Sequence, residues 1–339
     1  MANSLLTIND VARLSKVSKK TVSRVINQSP EVKSETRARV ESVIKKYGYE
    51  PDPQARGLAF RTSFLIGMIY NNPNPQYIVN MQQGILSALR PAGFELVIRP
   101  IESQSDHVVD QIESIVKRQK LAGVILPPSL SEDEQIIDLL NKAKCPYVRI
   151  ASITLESSNK MLVTGDRSGA AQAAQLLGSL GHTRIAHISG PNHFRSSHER
   201  RAGFKEALEA QGLSLKADFD VVSDYTYYGG LKAAQQLLSR KVKPTAIFTG
   251  NDEMAVGVYN AARELGFSIP HDLSVIGYDD SPMAERLWPP LSSVRLPVYD
   301  MGQTAAEMLL AVIRKEKDAA SRMHDTRLVQ RNSTAKPAT

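Results

Sequence analysis

Apolar positions along the first fifty residues repeat with helical spacing. Ile8, Val11 and Ala12 fall at i, i+3 and i+4, as do Val22, Val25 and Ile26. Each set predicts one buried stripe on a short helix. Thr7 followed three residues later by Asp10 is a variant capping box for the first helix, and Ser18 is placed to cap the second. Helices this short do not hold alone, so a third must complete the core. Ser34 is its expected cap, Val40, Val43 and Ile44 its packing face, and Gly48 its left-handed stop. After residue 62 the period changes. Strands are predicted at 65–70, 95–99, 123–126, 147–150, 161–164, 185–189, 220–222, 246–249 and 274–278. Helices are predicted at 79–89, 108–118, 133–142, 168–180, 201–211, 230–238 and 254–265. Several strands are apolar throughout, as suits parallel strands covered on both faces. Repeated strand–helix–strand units imply a doubly wound α/β fold. The pattern restarts near Asp166, which predicts two similar subdomains with the segment from Ser293 crossing between them. Ligands bind at the carboxyl ends of such strands, so the cleft between the subdomains is the expected pocket.

Charge separates the two regions. Residues 1–62 hold twelve Lys and Arg against six acids, a surplus of six out of a net charge of +7 for the whole chain. A basic head on a neutral body predicts an anionic polymer docked at one end. The second helix leaves Lys19, Lys20, Ser23, Arg24 and Asn27 off its buried stripe, as a helix that reads DNA does. Between head and body, Asp52-Pro53 resembles a cap followed by a proline at the first helical position. From there to Ala59 one short helix is expected, formed only when braced, with a plain linker as the other reading.

The remaining composition mostly excludes. The chain has 339 residues, enough for large cores. Cys145 is the sole cysteine, so no internal disulfide or cysteine-based metal cluster forms. Leu5-Leu6 is too short for a signal peptide and no apolar run spans a bilayer, so a cytoplasmic protein with no membrane partner is expected. No dinucleotide fingerprint, phosphate-binding loop or nucleophile elbow is present. His193 and His198 lack companion ligands for a metal. Asp279 and Asp280 are adjacent, so their side chains diverge and do not share a proton. No cofactor, no metal and no catalysis are expected.

The motifs resemble those of the LacI/GalR family of bacterial transcription regulators, nearly end to end. The head carries Thr7-Ile8-x-Asp10-Val11-Ala12, Val17-Ser18-x-x-Thr21-Val22-Ser23-Arg24-Val25-x-Asn27 and Ala55-Arg56-x-Leu58. The body carries Gly181-His182-x-Arg184, Arg200-x-Ala202-Gly203-Phe204, Asn251-Asp252-x-Met254-Ala255 and Gly277-Tyr278-Asp279-Asp280. One departure stands at the head's turn, where the family's Ala-Gly is Ser15-Lys16. A lysine there is unfavourable wherever the backbone needs positive φ.

The resemblance implies a helix-turn-helix DNA-binding domain at 1–50 and a hinge helix at 51–62. It further implies a periplasmic-binding-protein-like (type I) effector-binding and dimerisation core at 63–339, built of two doubly wound α/β subdomains. Their expected bounds are about 63–163, with the late crossover, and about 164–292, with the C-terminus. DNA contacts would come from Thr7, Ser18, Lys19, Lys20, Thr21, Ser23, Arg24 and Asn27, with Ala55 and Leu58 in the hinge and Leu58 wedged into the minor groove. Either lysine reads a guanine edge or touches phosphate alone. Arg200, Asn251 and Asp279 would bind effector hydroxyls, with Tyr225 or a neighbouring tyrosine as a ring platform. Tyr70, Gln76, Tyr77 and Asp166 are further candidates near strand ends. The implied protein is a homodimeric repressor of a carbohydrate-utilisation operon. Its operator is pseudo-palindromic double-stranded DNA and its effector a small sugar. A co-repressor-dependent regulator answering to a purine is the other reading. A secreted binding protein would share the body without the basic head.

Overall fold

The computed structural model describes residues 6–26, 31–49, 63–101, 107–156, 160–316 and 322–338. Two compact units are present, residues 1–64 and 65–339. The first holds α1 (Ile8–Leu14), α2 (Lys19–Ile26) and α3 (Ser34–Tyr47) around Val11, Ala12, Val22, Val25 and Val40. The capping box forms as read: the Thr7 hydroxyl accepts from the Asp10 N–H, and the Asp10 carboxylate accepts from the Thr7 N–H. Ser34 does not cap; Lys33 occupies that position and Ser34 begins α3. Gly48 closes α3 in the left-handed conformation, with φ 62°.

The second unit carries two six-stranded sheets. Sheet 1 has the order β11-β5-β4-β3-β1-β2, with β1 Leu65–Tyr70, β2 Glu95–Pro100, β3 Gly123–Leu126, β4 Tyr147–Ala151, β5 Met161–Thr164 and β11 Arg322–His324. Sheet 2 has the order β12-β10-β9-β8-β6-β7, with β6 Ile185–Ser189, β7 Asp220–Val222, β8 Ala246–Thr249, β9 Ser274–Asp279, β10 Ser292–Arg295 and β12 Arg327–Val329. All pairings are parallel except β10 with β12. The central strands β3, β4, β6 and β8 are buried throughout, because helices cover both faces.

Those helices are α4 (Pro75–Ala92), α5 (Val108–Gln119) and α6 (Glu134–Lys142) in the first lobe. The second lobe has α7 (Asp166–Ser179), α8 (Arg195–Glu209), α9 (Tyr227–Leu238), α10 (Asp252–Glu264) and the short α11 (Pro282–Arg286). Helix α12 (Val298–Arg314) returns to the first. It packs along α4, where Gly84 faces the Tyr299 carbonyl and Gly302 faces that of Met81. A Cβ at either glycine would strike backbone, which fixes the close approach.

The expected single crossover is three. The chain passes from β5 to α7, from β10 to α12, and from β11 to β12. Ser293, expected to open the crossing, lies inside β10 of sheet 2. The strands β10, β11 and β12 and the helices α11 and α12 were not anticipated. The three-residue strands β11 and β12 are too short for alternation to show.

Candidate functional site

In the head, α2 presents Lys19 and Lys20 in its first turn, both exposed. Ser18 accepts the Thr21 N–H at 3.1 Å and lies 2.9 Å from the Thr21 hydroxyl, so these two hydroxyls orient the helix start. Ser23 is half-buried. Arg24 pairs with Glu31 at 3.0 Å, on the exposed surface. Thr7 is spent on its cap, where its hydroxyl donates to Asp10 at 2.6 Å. That bond, with Arg13 beside it, pulls the Asp10 carboxyl down to about 2. Asn27, Ala55 and Leu58 lie outside the described residues. At the turn, Ser15 is buried and its hydroxyl bonds back to the Val11 carbonyl. Lys16 does adopt positive φ, 54°, so the chain carries the strain that a glycine would relieve.

The second unit has a cleft at the carboxyl ends of both sheets. Of the eight residues expected there, Tyr77, Asp166, Arg200, Tyr225, Asn251 and Asp279 line a cavity of about 40 Å³. Two do not join it. Tyr70, at the end of β1, packs half-buried against the main core. Gln76 turns along α4, where its side chain donates to Asn80 at 2.8 Å.

The lining residues sit where strands give way to helices. Asp166 is the first residue of α7, Arg200 stands in the second turn of α8, and Asn251 caps α10 by accepting the Met254 N–H at 2.9 Å. Arg200 Nε donates to Asp166 Oδ1 at 2.7 Å, and Nη1 donates to the Gly250 carbonyl. Its guanidinium lies 3.6 Å over the Tyr278 ring. Burial alone would lower the Arg200 pKa, but the Asp166 carboxylate outweighs it and holds the cation well above its ordinary value. Tyr225 occupies the left-handed region, φ 65°, and its hydroxyl bonds Ser197 at 2.8 Å. It is the tyrosine of its cluster that faces the cleft. Tyr227 bonds Asn260 and Tyr228 is largely exposed.

Asp279 also has positive φ, 106°. Its Oδ2 accepts from Asn74 Nδ2 at 3.1 Å, a bond from the first lobe to the second. Desolvation in the cleft pushes its carboxyl up to about 8, with Arg200 opposing. The adjacent Asp280 points away, as the spacing requires, and receives Arg295 and Arg331, each at 2.6 Å. Asp252, next to Asn251, likewise turns back. It accepts from Ser293 Oγ at 2.6 Å and from the Ser281 N–H at 2.7 Å. At the mouth, Glu132 accepts the Arg195 N–H at 3.1 Å, again across the lobes, and burial pushes its carboxyl up to about 7. Sequence reasoning missed Asn74, along with Thr164, Phe194 and Ser196 in the lining. The signal for Asn74 was present, since Asn74-Pro75 after a strand is a cap followed by a proline at the first helical position.

Residues 7–52 match the family of bacterial regulatory proteins of the lacI type, and residues 174–334 match the periplasmic binding protein-like domain. Over 314 residues the chain is 35% identical to catabolite control protein A of Priestia megaterium, covering 92% of this chain and 93% of that one. The chain belongs to the LacI family. This LacI-family regulator superposes on a transcriptional regulator CelR–cellobiose complex with a TM-score of 0.73 and 31% identity, over 97% of this chain and 99% of that one. It superposes on the lac repressor dimer bound to operator and the anti-inducer ONPF with a TM-score of 0.77 and 26% identity, over the same shares of the two chains. Among the described residues no helix is long and apolar enough to cross a membrane.

Proposed function

We propose that this LacI-family regulator is a homodimeric repressor of a carbohydrate-utilisation operon, working in the cytoplasm. It grips a pseudo-palindromic operator through α2 and binds a small sugar in the cleft, without transforming it. The observation that carries the reading is the pairing of two sites in one chain. One is a basic helix-turn-helix with exposed Lys19 and Lys20. The other is a cleft in which Asp166, Arg200, Asn251 and Asp279 converge. CelR with its cellobiose and the lac repressor on its operator support each half. Lys19, Lys20 and Arg24 supply base and phosphate contacts, while Ser18, Thr21 and Ser23 position the helix. Trp288 is 89% exposed beside Leu287, Phe267 and Pro290. An aromatic surface of that kind fits a second copy of the chain. A Trp288→Asp variant sedimenting as the same dimer would remove that face from the interface.

Operator binding by anisotropy, in rising salt, tests the whole reading. Each phosphate contact adds about 0.9 to the slope of log affinity against log salt, so the fall should be steep. The sugar that raises the melting temperature should also shift the operator affinity. A flat salt profile defeats the proposal.

A further inference from the structure

The charges around the cleft do not invite an anion. Within the lining, Asp166 and Asp279 stand against Arg200 alone. Arg200 is already committed to Asp166, to the Gly250 carbonyl and to the Tyr278 ring. The mouth repeats the imbalance: Glu132, Asp133 and Asp224 surround Arg195. His193, also at the mouth, is held toward its neutral form by burial.

Building on the reading that this cleft binds a sugar, we infer that the effector is an uncharged sugar and that the site rejects sugar phosphates and uronic acids. A ligand oxyanion has two places to go. It can take Arg200 from Asp166, leaving a carboxylate 2% exposed and unpaired. Or it can lie against Asp279, like charge on like, where little water screens the repulsion. Hydroxyls meet neither penalty. They donate to the Asp279 oxygen that Asn74 leaves open, and they accept from the unused N–H groups of Arg200. Tyr77, Phe194 and Tyr225 offer rings for the apolar faces of the sugar.

The test is calorimetric titration of the full chain with D-ribose, D-glucose and D-galactose. Each is run beside ribose 5-phosphate, glucose 6-phosphate or galactose 6-phosphate, and the hexoses also beside glucuronate or galacturonate. Hypoxanthine and adenine complete the set. Uronates match their parent hexoses in bulk, so their rejection reads charge rather than size. A neutral sugar should bind at least tenfold more tightly than its anionic derivatives. Asp279→Asn should weaken that sugar at least tenfold and narrow the gap, with the melting temperature of the free protein reporting the fold. An anionic derivative that matches or outbinds its parent overturns the inference and leaves the sugar reading standing. Hypoxanthine or adenine binding where no sugar of either class does overturns both.

Discussion

The two lobes share a six-stranded plan, yet they furnish the cleft unequally. The first contributes Asn72, Asn74, Tyr77, Pro128, Ile150 and Thr164, none of them charged. The second contributes Asp166, Arg200 and Asp279, and it fixes them by its own contacts. Two residue pairs show how. In Asn251-Asp252 and in Asp279-Asp280 the first member lines the cleft, while the second turns back into a buried network. The first lobe reaches across through Asn74 and Glu132. The second lobe is therefore a preorganised bed, and the first is the element that closes on it.

Removing a charge from the bed should have the largest effect. Arg200→Leu strands Asp166, and breaking a buried pair in this way costs about 3–5 kcal/mol. Denaturant unfolding should show that loss, and sugar binding should vanish. An Arg200→Leu protein as stable as the parent would mean the bed is not held by its charges. Asp280→Ala comes next. It releases Arg295 and Arg331, at about 2 kcal/mol, and frees the turn that aims Asp279. Sugar affinity should fall more than Asp280→Asn makes it fall, because the amide keeps one acceptor. On the closing side, Asn74→Ala removes both the α4 cap and the bond to Asp279. About 1–2 kcal/mol of stability should go, and the sugar should leave faster. If its dissociation rate is unchanged, the first lobe does not latch through Asn74.

Acidity sharpens the comparison further. The carboxyl of Asp279 has its pKa raised from the ordinary 3.8 to about 8 in the fold. The folded state thus holds that proton more tightly than the unfolded one, so this group's contribution declines as pH rises from about 4 to 8. Asp279→Asn should flatten that part of a melting-temperature profile. His187 acts in the opposite sense. It is fully buried between Phe204 and Phe248, 3.4 Å from Asp220 but without a hydrogen bond. Burial lowers its pKa, so stability is lost as pH falls below the ordinary 6.5. The smallest expected change is a gain: His187→Leu should add about 1 kcal/mol and reduce the loss on the acid side.

Much of this was legible along the chain. The head showed because caps and stops are local: Thr7 with Asp10, then Gly48. The central strands showed because apolar runs such as Ile185–Ile188 announce two covered faces. Divergence of Asp279 and Asp280 followed from adjacency alone. What stayed hidden is long-range. Nothing near Arg331 in sequence says that it reaches Asp280, and nothing near Asn74 names Asp279 as its partner. Tyr70 and Gln76 looked suitable by their place at a strand end. Each turned instead to a neighbour that only the packing reveals. Ser34 had the chemistry of a cap, but the helix begins one residue earlier than that role allows.

The edge strands β11 and β12 lie at residues 322–329, one in each sheet. On the ribosome, the chain must emerge almost in full before either sheet has its last member. Neither lobe can then be finished ahead of the other, and a nascent regulator would gain both halves of its cleft together. A nonsense codon shortly before residue 322 would leave two open borders at once, each ready to pair with a stranger.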